Sequence, residues 1–158
     1  MTELSIARVG VEAIDRFEPL WLEMLAHHGA VETTIPMQPA DVSWPVRRAL
    51  YASILAEPGA FALLATRDGV DVGYCVVHVH RGPDDTWVTG DVAEVESLAV
   101  SASERGAGIG TQLLDRVEAH LEGHTGEGLA HVEGLAVPVV VAVVVGREPG
   151  GRGHLPRQ

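Results

Sequence analysis

The passage that most constrains this chain lies past its middle, where an apolar run ends, a glycine-rich loop intervenes and a helical stripe begins. The run closes on Leu98-Ala99-Val100, residues 101–104 make a short turn, and the loop reads Arg105-Gly106-Ala107-Gly108-Ile109-Gly110 before Thr111. Ile109, Leu113, Val117 and Leu121 then recur on one face, which predicts a helix over residues 108–122. At such a strand–loop–helix junction the first-turn N–H groups have no intrahelical acceptor and point outward together. The helix dipole adds partial positive charge there, so a phosphate group is the natural ligand. Glycine at 106, 108 and 110 is expected to let the backbone approach that ligand without an intervening Cβ, and Arg105 can add a charge-assisted hydrogen bond. On the glycines alone, a plain tight turn is an equally good reading.

Two phosphate motifs are excluded. No Gly-Lys-Ser/Thr is present, which rules out a nucleoside-triphosphate loop, and the spacing does not give the dinucleotide pattern with its later acidic residue.

The flanking sequence supplies the fold. Residues 5–9 read as a strand, and Val11, Ile14, Phe17, Trp21, Met24 and Leu25 recur at helical spacing over residues 11–28, with Pro19 marking a start or a kink. Residues 32–45 read as a loop, and residues 44–55 as a second helix with Ser43 as N-cap and Pro45 in its first turn. From Phe61 the period shortens: residues 61–66 and 70–80 form a hairpin about Arg67-Asp68-Gly69, and residues 87–100 a further strand with Gly90 as a bulge candidate. A last, valine-rich strand is expected over residues 130–145. This order implies an α/β domain with a mixed sheet.

Composition narrows the function. With 158 residues the chain is one domain's worth, and its single cysteine, Cys75, lies in an apolar run where a buried, inert thiol is expected. One cysteine excludes an intramolecular disulfide and suits a cytoplasmic location. No signal peptide is expected, since residues 1–4 offer neither a basic nor an apolar stretch, and the longest apolar run, residues 135–146, is too short to span a membrane. A formal net charge of −11 argues against nucleic acid as a partner and favours cationic substrates, or merely keeps the protein soluble.

The stretch from Glu94-Val95-Glu96-Ser97 through Leu98-Ala99-Val100 to Arg105–Gly110 and Thr111-Gln112-Leu113-Leu114 resembles the acetyl-CoA signature of the GNAT superfamily of N-acyltransferases. The resemblance is specific over residues 93–122 and consistent in element order from residue 5 to about 135. It implies a GNAT fold, mixed and mostly antiparallel with flanking helices, as a single domain over residues 1–145. It further implies acetyl-CoA as co-substrate and transfer to a primary amine of a small molecule or peptide. The backbone of Leu98, Ala99 and Val100 would pair with the pantetheine arm where the fourth and fifth strands splay apart. The amides of Arg105, Gly106, Ala107, Gly108, Ile109, Gly110 and Thr111 would wrap the pyrophosphate.

Acetyl transfer to an amine needs a group that removes a proton from the ammonium. Glu94 and Glu96, two apart on one strand, face the same side. The family often places its base at the position matching Glu96 and in some members at that matching Glu94, so Glu96 is the first candidate; two carboxylates facing solvent are the plainer alternative. Many members of the family use as general acid a tyrosine in the next helix, beyond the one that the glycine loop opens, within Asn-x-x-Ala-x-x-x-Tyr; this chain lacks the pattern, and its only tyrosines are Tyr51 and Tyr74. That departure keeps a second reading open, a non-catalytic acyl-CoA-binding or interaction module.

His27-His28 and His78-x-His80 are not assigned to a metal, because no third ligand is tied to either pair by sequence; no metal is expected. The tryptophans read as core or rim residues, and the region between Trp21 and Trp44 shapes the acceptor pocket in GNAT proteins. Residues 137–145 form an aggregation-prone valine run, and residues 146–158 read as disordered or as the product of a frameshift, since dropping one base permits Asn-x-x-Ala from Glu148 onward. A homodimer is compatible with the reading.

Overall fold

In a computed structural model, residues 3–31, 33–81, 91–122 and 140–141 are described. Five strands stand side by side in sequence order: β1 (Leu4–Val9), β2 (Phe61–Arg67), β3 (Val70–Arg81), β4 (Asp91–Val100) and the two-residue β5 (Val140–Val141). The first three pairings are antiparallel and β4–β5 is parallel, so the sheet is mixed and mostly antiparallel, as expected. Trp87, Gly90 and the predicted tail at residues 146–158 lie outside the described residues, as does the predicted 130–145 strand apart from Val140 and Val141.

The β2–β3 hairpin turns at Asp68-Gly69, with φ of 55° and 73°. Two consecutive left-handed residues are what a two-residue turn needs to match the twist of its strands, and aspartate followed by glycine tolerates them best. On the strands, alternation sorts side chains between two cores. Ala62, Leu64, Tyr74 and Val76 face α1 (Glu18–Val31) and α2 (Ala40–Leu55). Phe61, Leu63, Ala65, Cys75 and Val77 face α3 (Ile109–Glu122), which answers with Ile109, Leu113 and Val117, all but fully buried. The predicted α3 stripe therefore packs as read, with Leu121 at its partly buried end.

Three local expectations are corrected. The helical run from Val11 opens as a 3-10 turn (Val11–Phe17) and becomes α-helical only at Glu18. Pro19 is thus the second α residue, where an N–H would have no acceptor in any case. Val11 is 53% exposed and not part of the buried stripe. The second helix begins at Ala40 with Pro39 as its cap residue, so Ser43 caps nothing. Instead the Ser43 hydroxyl accepts the Trp21 indole N–H at 3.0 Å and ties α1 to α2. Pro45 lies in the helix interior; the Asp41 carbonyl it leaves without a helical donor belongs to an exposed residue and is open to water.

The irregularity in β4 falls at Glu96. Val95 pairs with Val77 and Ser97 with Val76, which leaves Glu96 as an extra residue, a β-bulge. The bulge resets the alternation: Ala93 and Val95 face α3, then Leu98 does, while Ala99 faces α1 and α2. Among the described residues, no helix is long and apolar enough to cross a membrane.

Candidate active site

Alternation from Val95 aims Glu96 toward α2, and the bulge then aims Ser97 the same way. Glu96 Oε1 accepts from Arg47 Nη1 at 3.1 Å, with both side chains about a quarter exposed. The Arg47 guanidinium lies 4.2 Å above the Trp21 ring and 5.7 Å from the Tyr51 ring centre, so two aromatic faces and one carboxylate hold it. Glu94, two residues earlier, faces the same way, opposite His78 on β3; His78 Nε2 and Glu94 Oε2 are 3.4 Å apart. One ligand-capable atom from each of His78, Glu94 and Glu96 lies within 4.8 Å of the others. The two carboxylates thus meet on one side of the strand, as their spacing suggested, and His78, named in the sequence only as half of His78-x-His80, joins them from β3.

Behind this surface lies a buried aromatic knot. Phe17 stacks on Tyr74 at 4.5 Å, and Trp44 and Trp21 meet Tyr51 edge-on at 6.4 and 6.5 Å. The Tyr51 and Tyr74 hydroxyls are 2.9 Å apart, and the Tyr51 hydroxyl also hydrogen-bonds the buried Ser97 side chain. Burial pushes both phenols up, Tyr74 well above the ordinary range, so both stay protonated. Neither tyrosine has any exposed surface.

Beyond the bulge, Leu98, Ala99 and Val100 pair with Cys75, Tyr74 and Gly73 on β3. β5 pairs with Glu94 and Val95 only, and among the described residues no strand pairs with the far edge of Leu98–Val100. The chain is then pinned by three elements. Ser101 N–H donates to Val72 O at 2.8 Å, Ala102 N–H donates to the Glu23 carboxylate of α1, and Arg67 of β2 holds Glu104 at 2.8 Å.

The loop that follows is built on two left-handed glycines, Gly106 at φ 84° and Gly108 at φ 80°, and a Cβ at either would meet nothing within 4 Å. Gly110 differs: it lies inside α3 with an ordinary φ, and its Cβ would only touch Leu98 and Val100 at 3.7 and 3.9 Å. Only Gly106 and Gly108 are therefore demanded by conformation. The amides of Arg105 and Ala107 donate to Ala102 O and Glu104 O, and Gln112 N–H makes the first helical bond, to Gly108 O. Among the described residues, no backbone carbonyl accepts from Gly106, Gly108, Ile109, Gly110 or Thr111, five of the seven amides in the expected wrap. Arg105 is exposed, and its charge, after burial and His27, helps hold the His28 imidazole below its ordinary pKa, placing α1's C-terminal end near the loop.

Cys75 is buried, free and pushed up to about 12 by desolvation, an inert thiol as expected.

Comparison with known proteins agrees with this arrangement. No curated protein sequence matches the chain. Among solved structures, an aminoglycoside N-acetyltransferase in complex with CoA superposes with a TM-score of 0.57 at 17% identity, over 80% of this chain and 73% of that one. A ribosomal-protein-alanine N-acetyltransferase from Brucella melitensis gives 0.51 at 21% identity, over 78% and 74%. The BH1408 protein of Bacillus halodurans, as a tetramutant, gives 0.63 at 16% identity, over 77% of each chain. At these identities the likeness is one of fold. The acetyltransferase (GNAT) family model matches residues 27–137, a span that takes in α2, the bulged strand and the glycine loop, and the chain belongs to that family.

Proposed function

We propose that the protein is an N-acetyltransferase that moves an acetyl group from acetyl-CoA to a primary amine by direct transfer. The observation that carries this reading is the bulge at Glu96. It follows two carboxylates that share one strand face, and beyond it come a backbone edge with no strand partner among the described residues and a loop of amides with no described backbone acceptor.

The loop fits a pyrophosphate. Gly106 and Gly108 leave open the space a Cβ would fill, and the amides of Gly106, Gly108, Ile109, Gly110 and Thr111 are donors at a helix N-terminus. Arg105 would add a charge beside them, with Ala107 shaping the turn. Leu98, Ala99 and Val100 would hold the pantetheine arm through their backbone, as an added strand is held. When bound, acetyl-CoA supplies an acyl group already activated as a thioester.

The residues of this chain do the rest. Glu96 takes the proton from the acceptor ammonium, which frees the nitrogen lone pair for attack, and Glu94 is the second candidate for that role. Arg47 fixes the Glu96 carboxylate in place through Trp21 and Tyr51. Backbone amides near Leu98 polarise the thioester carbonyl. Holding both reactants on one strand supplies orientation, the main resource of a direct transfer.

A second reading, a non-catalytic acyl-CoA-binding module, is favoured by one observation. Both tyrosine hydroxyls are buried and joined to each other, so neither is placed to protonate a departing thiolate.

Calorimetric titration with CoA, followed by thiol release from acetyl-CoA over an amine panel, tests both. Binding with turnover that falls about 100-fold or more in Glu96→Gln supports the first reading. Binding without turnover for any amine supports the second, and no binding sinks both.

A further inference from the structure

The group that brings His78 beside Glu94 and Glu96 is more specific than a pair of carboxylates. We infer that His78, Glu94 and Glu96 form a three-point cradle for one primary ammonium, and that His78 sets the preference for primary over N-methylated amines. The inference rests on the proposed amine acceptor and adds to it a residue and a selection rule.

The geometry is that of one small cation. Three acceptors at about 2.8 Å from a tetrahedral nitrogen lie about 4.6 Å from one another. The atoms offered by His78, Glu94 and Glu96 all lie within 4.8 Å of one another, so none is too far out to share one ammonium, and His78 Nε2 and Glu94 Oε2, 3.4 Å apart, would open by about 1.2 Å to do so. A primary ammonium carries three N–H donors, one for each acceptor. Every N-methyl group removes one donor and puts a carbon against a polar atom that had a partner.

Charge separates the ammonium from a divalent metal. Two carboxylates and the Arg47 guanidinium on Glu96 leave one net negative charge on the cluster. A monovalent ammonium neutralises it, whereas a divalent ion would leave an excess positive charge beside Arg47. Burial gives the contacts weight: the side chains of His78, Glu94 and Glu96 are 19, 27 and 24% exposed, reachable from solvent but largely out of it.

The fold explains why these three residues meet. His78 and Glu94 are direct partners across the β3–β4 ladder, and alternation puts Glu96 on the same face two residues on. The role requires Nε2 of His78 to accept, which the tautomer with its proton on Nδ1 allows.

The test uses the full chain, with methylammonium and tetramethylammonium as probes and the imidazole nitrogens of His78 followed by NMR at alkaline pH, where an imidazole is neutral. Methylammonium is expected to shift the His78 Nε2 resonance and to bind about tenfold or more tightly than tetramethylammonium. His78→Phe should erase most of that preference, while His78→Gln, whose carbonyl oxygen still accepts, should keep much of it. Equal binding of the two cations would overturn the cradle. So would a preference unchanged in His78→Phe, or Zn²⁺ taking the His78 nitrogen while methylammonium leaves it unmoved. Because binding is read without turnover, the two readings fail separately. Discriminating binding with no acetyl transfer to methylamine or any other amine overturns the catalytic reading alone, and turnover with no discrimination overturns the cradle alone.

Discussion

Alanine in place of each loop glycine separates conformation from contact. Gly106 and Gly108 hold φ of 84° and 80°, where an L-residue with a Cβ costs about 1 to 2 kcal/mol, and the open space around both means no steric clash adds to that figure. Gly106→Ala and Gly108→Ala should each lower stability by about 1 to 2 kcal/mol, or roughly 2 to 8 °C in Tm for a domain of this size. Gly110→Ala is the internal control. Its Cβ makes only ordinary contacts with Leu98 and Val100, and alanine is favoured over glycine within a helix by about 1 kcal/mol, so stability should hold or rise. Thermal unfolding reads this contrast, and calorimetry with CoA reads the second consequence. A Cβ at 106 or 108 enters the space assigned to the pyrophosphate, so CoA affinity should fall by about tenfold or more beyond any loss of fold, while Gly110→Ala loses less. The reasoning is refuted if all three variants lose equal stability, or if Gly106→Ala and Gly108→Ala bind CoA as the parent does.

The tyrosine pair calls for a double-mutant cycle. Tyr51→Phe strands the buried Tyr74 hydroxyl and should lose about 1 to 3 kcal/mol by denaturant unfolding, whereas adding Tyr74→Phe should cost much less than a second such loss; strict additivity would deny the bond. Gly73→Ala should destabilise by about 1 to 3 kcal/mol, because its Cβ would meet the Ala99 carbonyl and Ile109 Cγ2 at 3.2 Å and the carbonyl cannot yield; an unchanged Tm would show that α3 can retreat. Cys75, with its thiol pushed up to about 12, binds its proton more tightly folded than unfolded. Its contribution is therefore full below the unfolded value near 9 and is lost as pH rises from there towards 12, and Cys75→Ala should flatten that alkaline decline. The native thiol should resist alkylation at neutral pH until the chain unfolds, and rapid labelling of the folded protein would contradict its burial.

Features fixed by short-range rules were legible in the sequence. The α3 stripe depends on helical period alone, and the Asp68-Gly69 turn on two residues that tolerate positive φ. The second helix was mis-started because Pro39 offers no capping side chain, whereas Ser43 looks like a cap and in fact serves Trp21 across 22 positions. The bulge was missed for a deeper reason. It exists only relative to β3, through the hydrogen bonds that skip Glu96, and no pattern within residues 91–100 records it. Glu94 and Glu96 could be paired by their spacing; His78 and Arg47 could not, since each joins them from another element. One signal was available: Arg47 and Tyr51 are four apart on a helix and so share a face.

The bulge also makes the two halves of β4 separately variable. On the proposed function, side chains upstream of it meet whatever accepts the acyl group, so exchanges at 94 and 96 would retune the acceptor. Downstream, the backbone edge of Leu98–Val100 offers N–H and C=O groups that every residue but proline carries. With the phase broken between them, a new acceptor preference can evolve at one end of the strand while the thioester end keeps its grip.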